Sequence, residues 1–180
     1  MEHVALLRGI NVGTAKRLAM ADLRGVAARV GFGDPATVLN SGNLVFSADE
    51  PLDAAATAAL RAAIAADTGV DADLVVVTAD DLRSIADANP LRRDGRPAKL
   101  LSVAFAQDAL DPASDRPDAE TLAPEELVVA PRAVYQWLPD GVLASRVPAA
   151  WWRSLDSTVT ARNDATVQKI VALLDARRNP

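Results

Sequence analysis

The 180-residue sequence contains no cysteine and a single histidine, His3. The first absence rules out a disulfide framework, a zinc–thiolate site and a cysteine nucleophile. The second leaves no histidine pair for a metal ion and makes a poor start for a catalytic triad. Aromatic residues are only 4% of the chain while half of it is hydrophobic, so the core is expected to be aliphatic and small-residue in character. No apolar run approaches the length of a membrane span, and no basic leader precedes a hydrophobic stretch. A cytoplasmic chain with no membrane role is the expectation. The formal net charge of −5 speaks against a general nucleic-acid binder, which needs a clustered positive field.

What is present reads as an α+β chain. The stretch HVALLRGIN at 3–11 begins with a short apolar run, Val4 to Leu7, that predicts a buried strand. It ends abruptly in Arg8, Gly9, Asn11 and Gly13, a polar and flexible exit. Met20, Leu23, Val26, Ala27 and Val30 then form a helical stripe, with Gly31 placed for its C-terminus. Val38 and Leu39 are expected to open a strand, Asn40-Ser41-Gly42-Asn43 to turn it, and Leu44-Val45-Phe46 to return. Asp49-Glu50-Pro51 suits a helix start, Leu52, Ala56, Leu60, Ala63 and Ile64 its buried face, and Gly69 its end. Leu74 to Val77 predicts a strand, followed by a short helix that Thr78 and Asp81 cap and Asn89-Pro90 stops.

This β-α-β-β-α-β order with an extra helix is the ferredoxin-like pattern, expected over 1–90, with a second, smaller α+β subdomain over 91–180 packed on it. In that topology the third strand lies between the first two and antiparallel to both. The end of the first strand and the hairpin then share an edge. Arg8 and Asn11 would meet Asn40, Ser41, Gly42 and Asn43, a set of charge, amides and backbone N–H groups suited to a carboxylate, a phosphate or a base edge. The alternative is a loop-to-loop hydrogen-bond network that only fixes the hairpin.

The second part opens with NPLRRDGRPAK at 89–99, a linker or exposed loop. Its Arg92, Arg93, Arg96 and Lys99 are expected to be a solvated charge run, with an anion-attracting rim as the other reading. A strand over 100–105, a polar segment over 108–124 with a helical turn at 118–122, and a hairpin of Leu127-Val128-Val129 with 133–138 follow, closed by Pro139-Asp140-Gly141. Tyr135 and Trp137 share a strand face, more suited to covering a sheet than to stacking a base. Trp151, Trp152 and Leu155 read as packing anchors on a short helix. Asn163 is a suitable N-cap for a last helix with Val167, Ile170, Val171 and Leu174 on its buried stripe and Arg177 and Arg178 complementing its far end. Arg162 beside that N-terminus either holds an anion or pairs with Asp156 or Asp164.

Three stretches, LLRGINVG at 6–13, NSGNLVF at 40–46 and TARN at 160–163 leading into TVQKIVALL, resemble the DUF1697 family, and LPDG at 138–141 fits as well. The resemblance spans nearly the whole chain and implies an α+β fold with a ferredoxin-like portion. It implies no reaction. The chain departs from the family pattern at Thr14, where a second glycine is common, at Asn40 in place of glutamine, and at Asp164 and Ala165 in place of tryptophan and asparagine. Arg8, Asn11, Ser41, Asn43, Arg162 and Asn163 keep it.

Other motifs fail. GINVG has the wrong spacing for a dinucleotide-binding turn, GINVGTAK lacks a phosphate-loop ending, and Ser41 has no identifiable base. No residue set names a reaction or a cofactor. The leading expectation is a small anionic or nucleotide-like ligand in a polar cleft formed by 8–13, 40–43 and 160–163, with Arg8, Asn11, Ser41, Gly42, Asn43, Arg162 and Asn163 as its contacts. The alternatives are a protein-interaction module in which these motifs are structural, and RNA binding through a stacking sheet face.

Overall fold

The structure is a computed structural model that describes residues 1–13, 16–113 and 115–178. Thr14, one of the departures from the family pattern, lies outside the described residues. The chain is mixed α and β, with two antiparallel four-stranded sheets and a C-terminal helix. It divides into two compact units, Met1–Arg83 with Lys169–Pro180, and Ser84–Gln168. Each division falls within a helix, after Arg83 and after Gln168.

The first unit carries β1 (Glu2–Leu7), α1 (Met20–Arg29), β2 (Gly33–Val38), β3 (Asn43–Ser47), α2 (Ala54–Thr68), β4 (Leu74–Thr78) and the start of α3 (Ala79–Asp87). Its strand order is β2-β3-β1-β4, with every neighbouring pair antiparallel. The third strand does lie between the first two. His3 through Leu7 are all buried, which is why their run shows no polar alternation. Ala5, Leu7, Leu23, Val26, Phe46 and Ile64 belong to one hydrophobic core, mostly aliphatic, with Phe32 stacked on Phe46 at 4.3 Å.

The helix ends follow local chemistry. Past α1, Gly31 takes φ 94° and its amide donates to Ala28 O, while Phe32 N donates to Ala27 O, the paired bonds of a Schellman cap. Helix α2 starts later than Pro51 suggested, because the Asp53 carboxylate accepts from Ala56 N at 2.7 Å and so caps the chain there. Strand β2 was expected to begin at Val38. It ends there, and Leu39 is a turn residue at φ 58°. Pro35 lies on an edge strand with a register shift between Gly33 and Ala36, where the missing proline N–H costs no ladder bond.

The second unit carries β5 (Leu101–Ala106), α4 (Ala119–Leu122), β6 (Glu126–Ala130), β7 (Ala133–Trp137), α5 (Ala149–Ser154), β8 (Val159–Asn163) and the start of α6 (Asp164–Arg178). Its order, β6-β7-β5-β8, again antiparallel throughout, repeats that of the first sheet strand for strand. The backbone bonds repeat as well. Leu7 N donates to Gly42 O and Ala106 N to Arg132 O; Arg8 N donates to Asp73 O and Gln107 N to Thr158 O. The last residue of β4, Thr78, caps α3, and the last residue of β8, Asn163, caps α6.

The charge run at 92–96 is only partly solvated, contrary to expectation: Arg92 and Arg96 are half-buried, while Arg93 stays exposed. Arg92 binds the buried Asp164 carboxylate through Nε and Nη2 at 2.7–3.2 Å, and Gln168 Nε2 donates to the same carboxylate at 2.8 Å. Arg96 pairs with Glu126 and lies 4.8 Å over the Trp137 ring, and Arg93 pairs with Glu126 at 3.1 Å. A carboxylate taken from water must be paired, and these guanidiniums are the partners. Trp151, Trp152 and Leu155 pack against the Val134 and Val159 core, as anchors should. Among the described residues no helix is long and apolar enough to cross a membrane.

Two outcomes follow. Arg92→Met strands the Asp164 charge and should lower stability by about 2–4 kcal/mol in chemical denaturation. Asp164→Leu placed on top should recover part of that loss. Burial holds His3 below its ordinary 6.5 despite the Met1 carbonyl at 3.2 Å, and its Nε2 has no hydrogen-bond partner among the described residues. The unfolded chain therefore takes up a proton below about pH 6.5 that the folded chain resists. His3 leaves stability unaffected above that pH and lowers it on acidification toward the depressed value. Urea midpoints at pH 7.5 and pH 5 should diverge between wild type and His3→Phe, and parallel declines would refute the assignment.

Candidate functional site

The end of β1 is held from two sides, by Gly42 O on the hairpin and by Asp73 O ahead of β4, at 2.9 and 2.7 Å. The register pairs Leu6 with Asn43, so the β1 exit and the β2–β3 turn lie at one end of the sheet. Loop 8–19 then folds sharply through left-handed residues Gly9, Asn11, Gly13 and Lys16, and the turn beyond β2 does so through Leu39 and Gly42. Among the described residues, three of the four non-glycine residues with positive φ sit in these two loops.

Asn11, at φ 55°, joins them. Its Nδ2 donates to Asn40 O at 2.7 Å and to Leu18 O at 2.9 Å, and its Oδ1 accepts from Leu18 N at 2.9 Å. Both donors and the acceptor are thus committed to backbone. Asn43 is fully buried, and its Nδ2 donates to Val38 O and to Ser41 Oγ at 2.8 and 3.0 Å. Gly42 is buried at φ 73°, and a Cβ there would come within 2.7–2.8 Å of Ile10 Cδ1 and Leu7 Cβ. No other residue fits that turn without displacing them. Asn11, Gly42 and Asn43 therefore hold the loops in place.

Charge and hydroxyl remain at the surface. Arg8, Arg17 and Ser41 are exposed, and neither Arg8 nor Arg17 forms an ion pair among the described residues. An open depression of about 720 Å³ lies between the loops, lined by Ile10, Arg17, Leu18, Leu39, Asn40 and Ser41 among others. Arg8 is not part of its wall. Lys16 donates to Asp71 O at 2.8 Å.

Arg162 and Asn163 belong to the second unit. Asn163 Oδ1 accepts from Thr166 N at 2.8 Å, a helix cap as the spacing predicted. Arg162 Nη1 donates to Thr160 Oγ1 at 3.1 Å and to Ala161 O at 2.8 Å. Burial lowers its guanidinium to about 10, which leaves it cationic at neutral pH. The second unit has its own open depression of about 760 Å³ between Pro90, Pro117, Pro124 and Leu127, with mixed charge in its wall: Arg93 and Arg116 beside Asp118, Glu125 and Glu126.

A family model described as a protein of unknown function, DUF1697, matches residues 1–135. The chain belongs to the DUF1697 family. The match takes in both loops of the first unit and stops short of Arg162 and Asn163. Among solved structures, the conserved bacterial protein SP0830 from Streptococcus pneumoniae is similar over 96% of this chain and 98% of its own, with a TM-score of 0.62 and 18% identity. That likeness extends to the fold of this DUF1697 chain and no further. No curated protein matches it.

Sequence reading missed Arg17 and Leu39 as wall residues. For Arg17 a signal existed, since no Asp or Glu occurs between Glu2 and Asp22 while Arg8, Lys16 and Arg17 all do. For Leu39 there was none, because its β-strand propensity hid a left-handed turn.

Asn11→Gly should destabilise the first unit by about 2 kcal/mol through its lost backbone bonds. Asn11→Ala should cost about 1 kcal/mol more, because alanine also carries the left-handed strain. Equal losses for the two variants in urea titration would show that the φ of Asn11 does not matter.

Proposed function

We propose that this chain binds a small anionic ligand in the depression between the 8–19 loop and the β2–β3 turn. The observation that carries the reading is electrostatic. That loop holds three cations and no carboxylate, and Arg17, which has no ion pair among the described residues, stands in the wall beside the exposed Ser41 and Asn40. Two parallel N–H groups on a guanidinium match a carboxylate or phosphate. Asn11 fixes the wall in advance, so little ordering is left for binding to impose.

This site is narrower than the cleft expected from sequence. Asn11 lines the depression with its amide committed to backbone, Gly42 and Asn43 support it from outside the wall, and Asn163 serves its own helix. The βαββαβ order supports reading the first unit as ferredoxin-like. The competing reading, an interaction module with structural polar motifs, is favoured by the commitment of Asn11 and Asn43 to backbone. RNA stacking has less support, because Tyr135 is buried with its hydroxyl donated to Ile85 O at 2.8 Å and Arg96 covers Trp137.

Thermal shift of the whole chain against inorganic phosphate, AMP and citrate tests the proposal. At a hundred times its Kd, a ligand that binds only the folded state adds about 2.7 kcal/mol of stability. Arg17→Gln should abolish the shift, and Arg8→Ala should reduce it only through the longer-range field. No shift with any of the three, or an equal shift in Arg17→Gln, would overturn it in favour of the structural reading.

A further inference from the structure

We infer that the anion received here is an aliphatic carboxylate, held by its chain as much as by its charge. The inference rests on the binding reading above and narrows it.

Two of the chain's exposed large apolar side chains, Val12 at 70% and Leu39 at 47% exposure, line this same depression. Leu39 is also in a left-handed conformation, φ 58°, that crowds any residue bearing a Cβ. Leucine has no polar group with which to stabilise such a turn, as asparagine does. Nor does the fold recover the cost by burying the side chain. Asparagine or glycine would make the turn with less strain and no exposed hydrocarbon, so the leucine serves something outside the fold. Strained residues at a rim are a feature of ligand clamps.

The remaining wall decides the ligand class. Partly exposed Met20 adds aliphatic surface over the buried Ile10 and Leu18, and no Phe, Tyr, Trp or His lines the depression among the described residues. A nucleobase finds no ring to stack on, whereas an alkyl chain needs only aliphatic neighbours. Arg17 is the cation of the wall, and its planar fork fits one carboxylate. The geometry therefore suits a short-to-medium alkyl chain against Val12 and Leu39 with its acid group at Arg17.

Calorimetric titration of the intact chain with sodium octanoate, octylamine, AMP and inorganic phosphate tests this. Octanoate should bind at least about tenfold more tightly than AMP or phosphate, and octylamine, with the same chain and the opposite charge, should not bind. Leu39→Asn should leave the thermal midpoint unchanged or higher, weaken octanoate about tenfold, the loss expected for one leucine contact, and leave phosphate affinity as it was. Val12→Ser provides the same comparison at a residue with ordinary backbone geometry. Octanoate binding no tighter than phosphate, retained in both variants, or matched by octylamine overturns the inference. Phosphate binding that Arg17→Gln abolishes would then still uphold the general anion site, whereas no binding by any anion removes both.

Discussion

The register of β1 between β3 and β4 is the constraint on which the first unit depends. Leu6 opposite Asn43 and Leu7 opposite Leu74 fix where the chain leaves the sheet. Strand side chains alternate with period two, so a slip by one residue would exchange the Ala5 and Leu7 face for the Val4 and Leu6 face. It would also break the bond from Leu7 N to Gly42 O, and the loop and turn would lose their common edge. The depression exists because that edge is shared.

Within the edge, polar residues divide by what burial costs them. An amide can leave water when its polar groups find partners: half-buried Asn11 commits both donors and its acceptor to backbone, and buried Asn43 donates to Val38 O and to the Ser41 hydroxyl. A guanidinium cannot be buried so cheaply without a carboxylate, and the 8–19 loop has none, so Arg8 and Arg17 stay in water. The second unit shows the converse. There Asp164 and Glu126 are present, Arg92 and Arg96 turn inward to meet them, and Arg93 pairs with Glu126 from the surface. One residue type is surface charge in one unit and internal staple in the other, according to the carboxylates within reach.

The repetition of strand order and exit bonds in the two sheets has no counterpart in side-chain identity. Leu7 and Ala106 make the same bond, as do Gly42 and Arg132 on the accepting side. Backbone amides and carbonyls carry the shared architecture, and any residue can supply them. That is why the repeat is absent from the sequence pattern.

Sequence alone determined the elements whose causes are local. The buried β1 run, the caps at Thr78 and Asn163, the stop at Gly31 and the aliphatic core follow from neighbouring residues and from hydrophobic spacing. It also set the family and the meeting of Asn11 with the hairpin, since the βαββαβ order has few ways to pair. Only the tertiary structure decided which polar groups are committed and which are open. Whether Arg92 is solvated depends on Asp164, far along the chain, and whether Leu39 is strand or strained turn depends on where β2 lies in its sheet. Hydrogen-bond partners and solvent exposure are properties of groups brought together in space, and no local pattern encodes them.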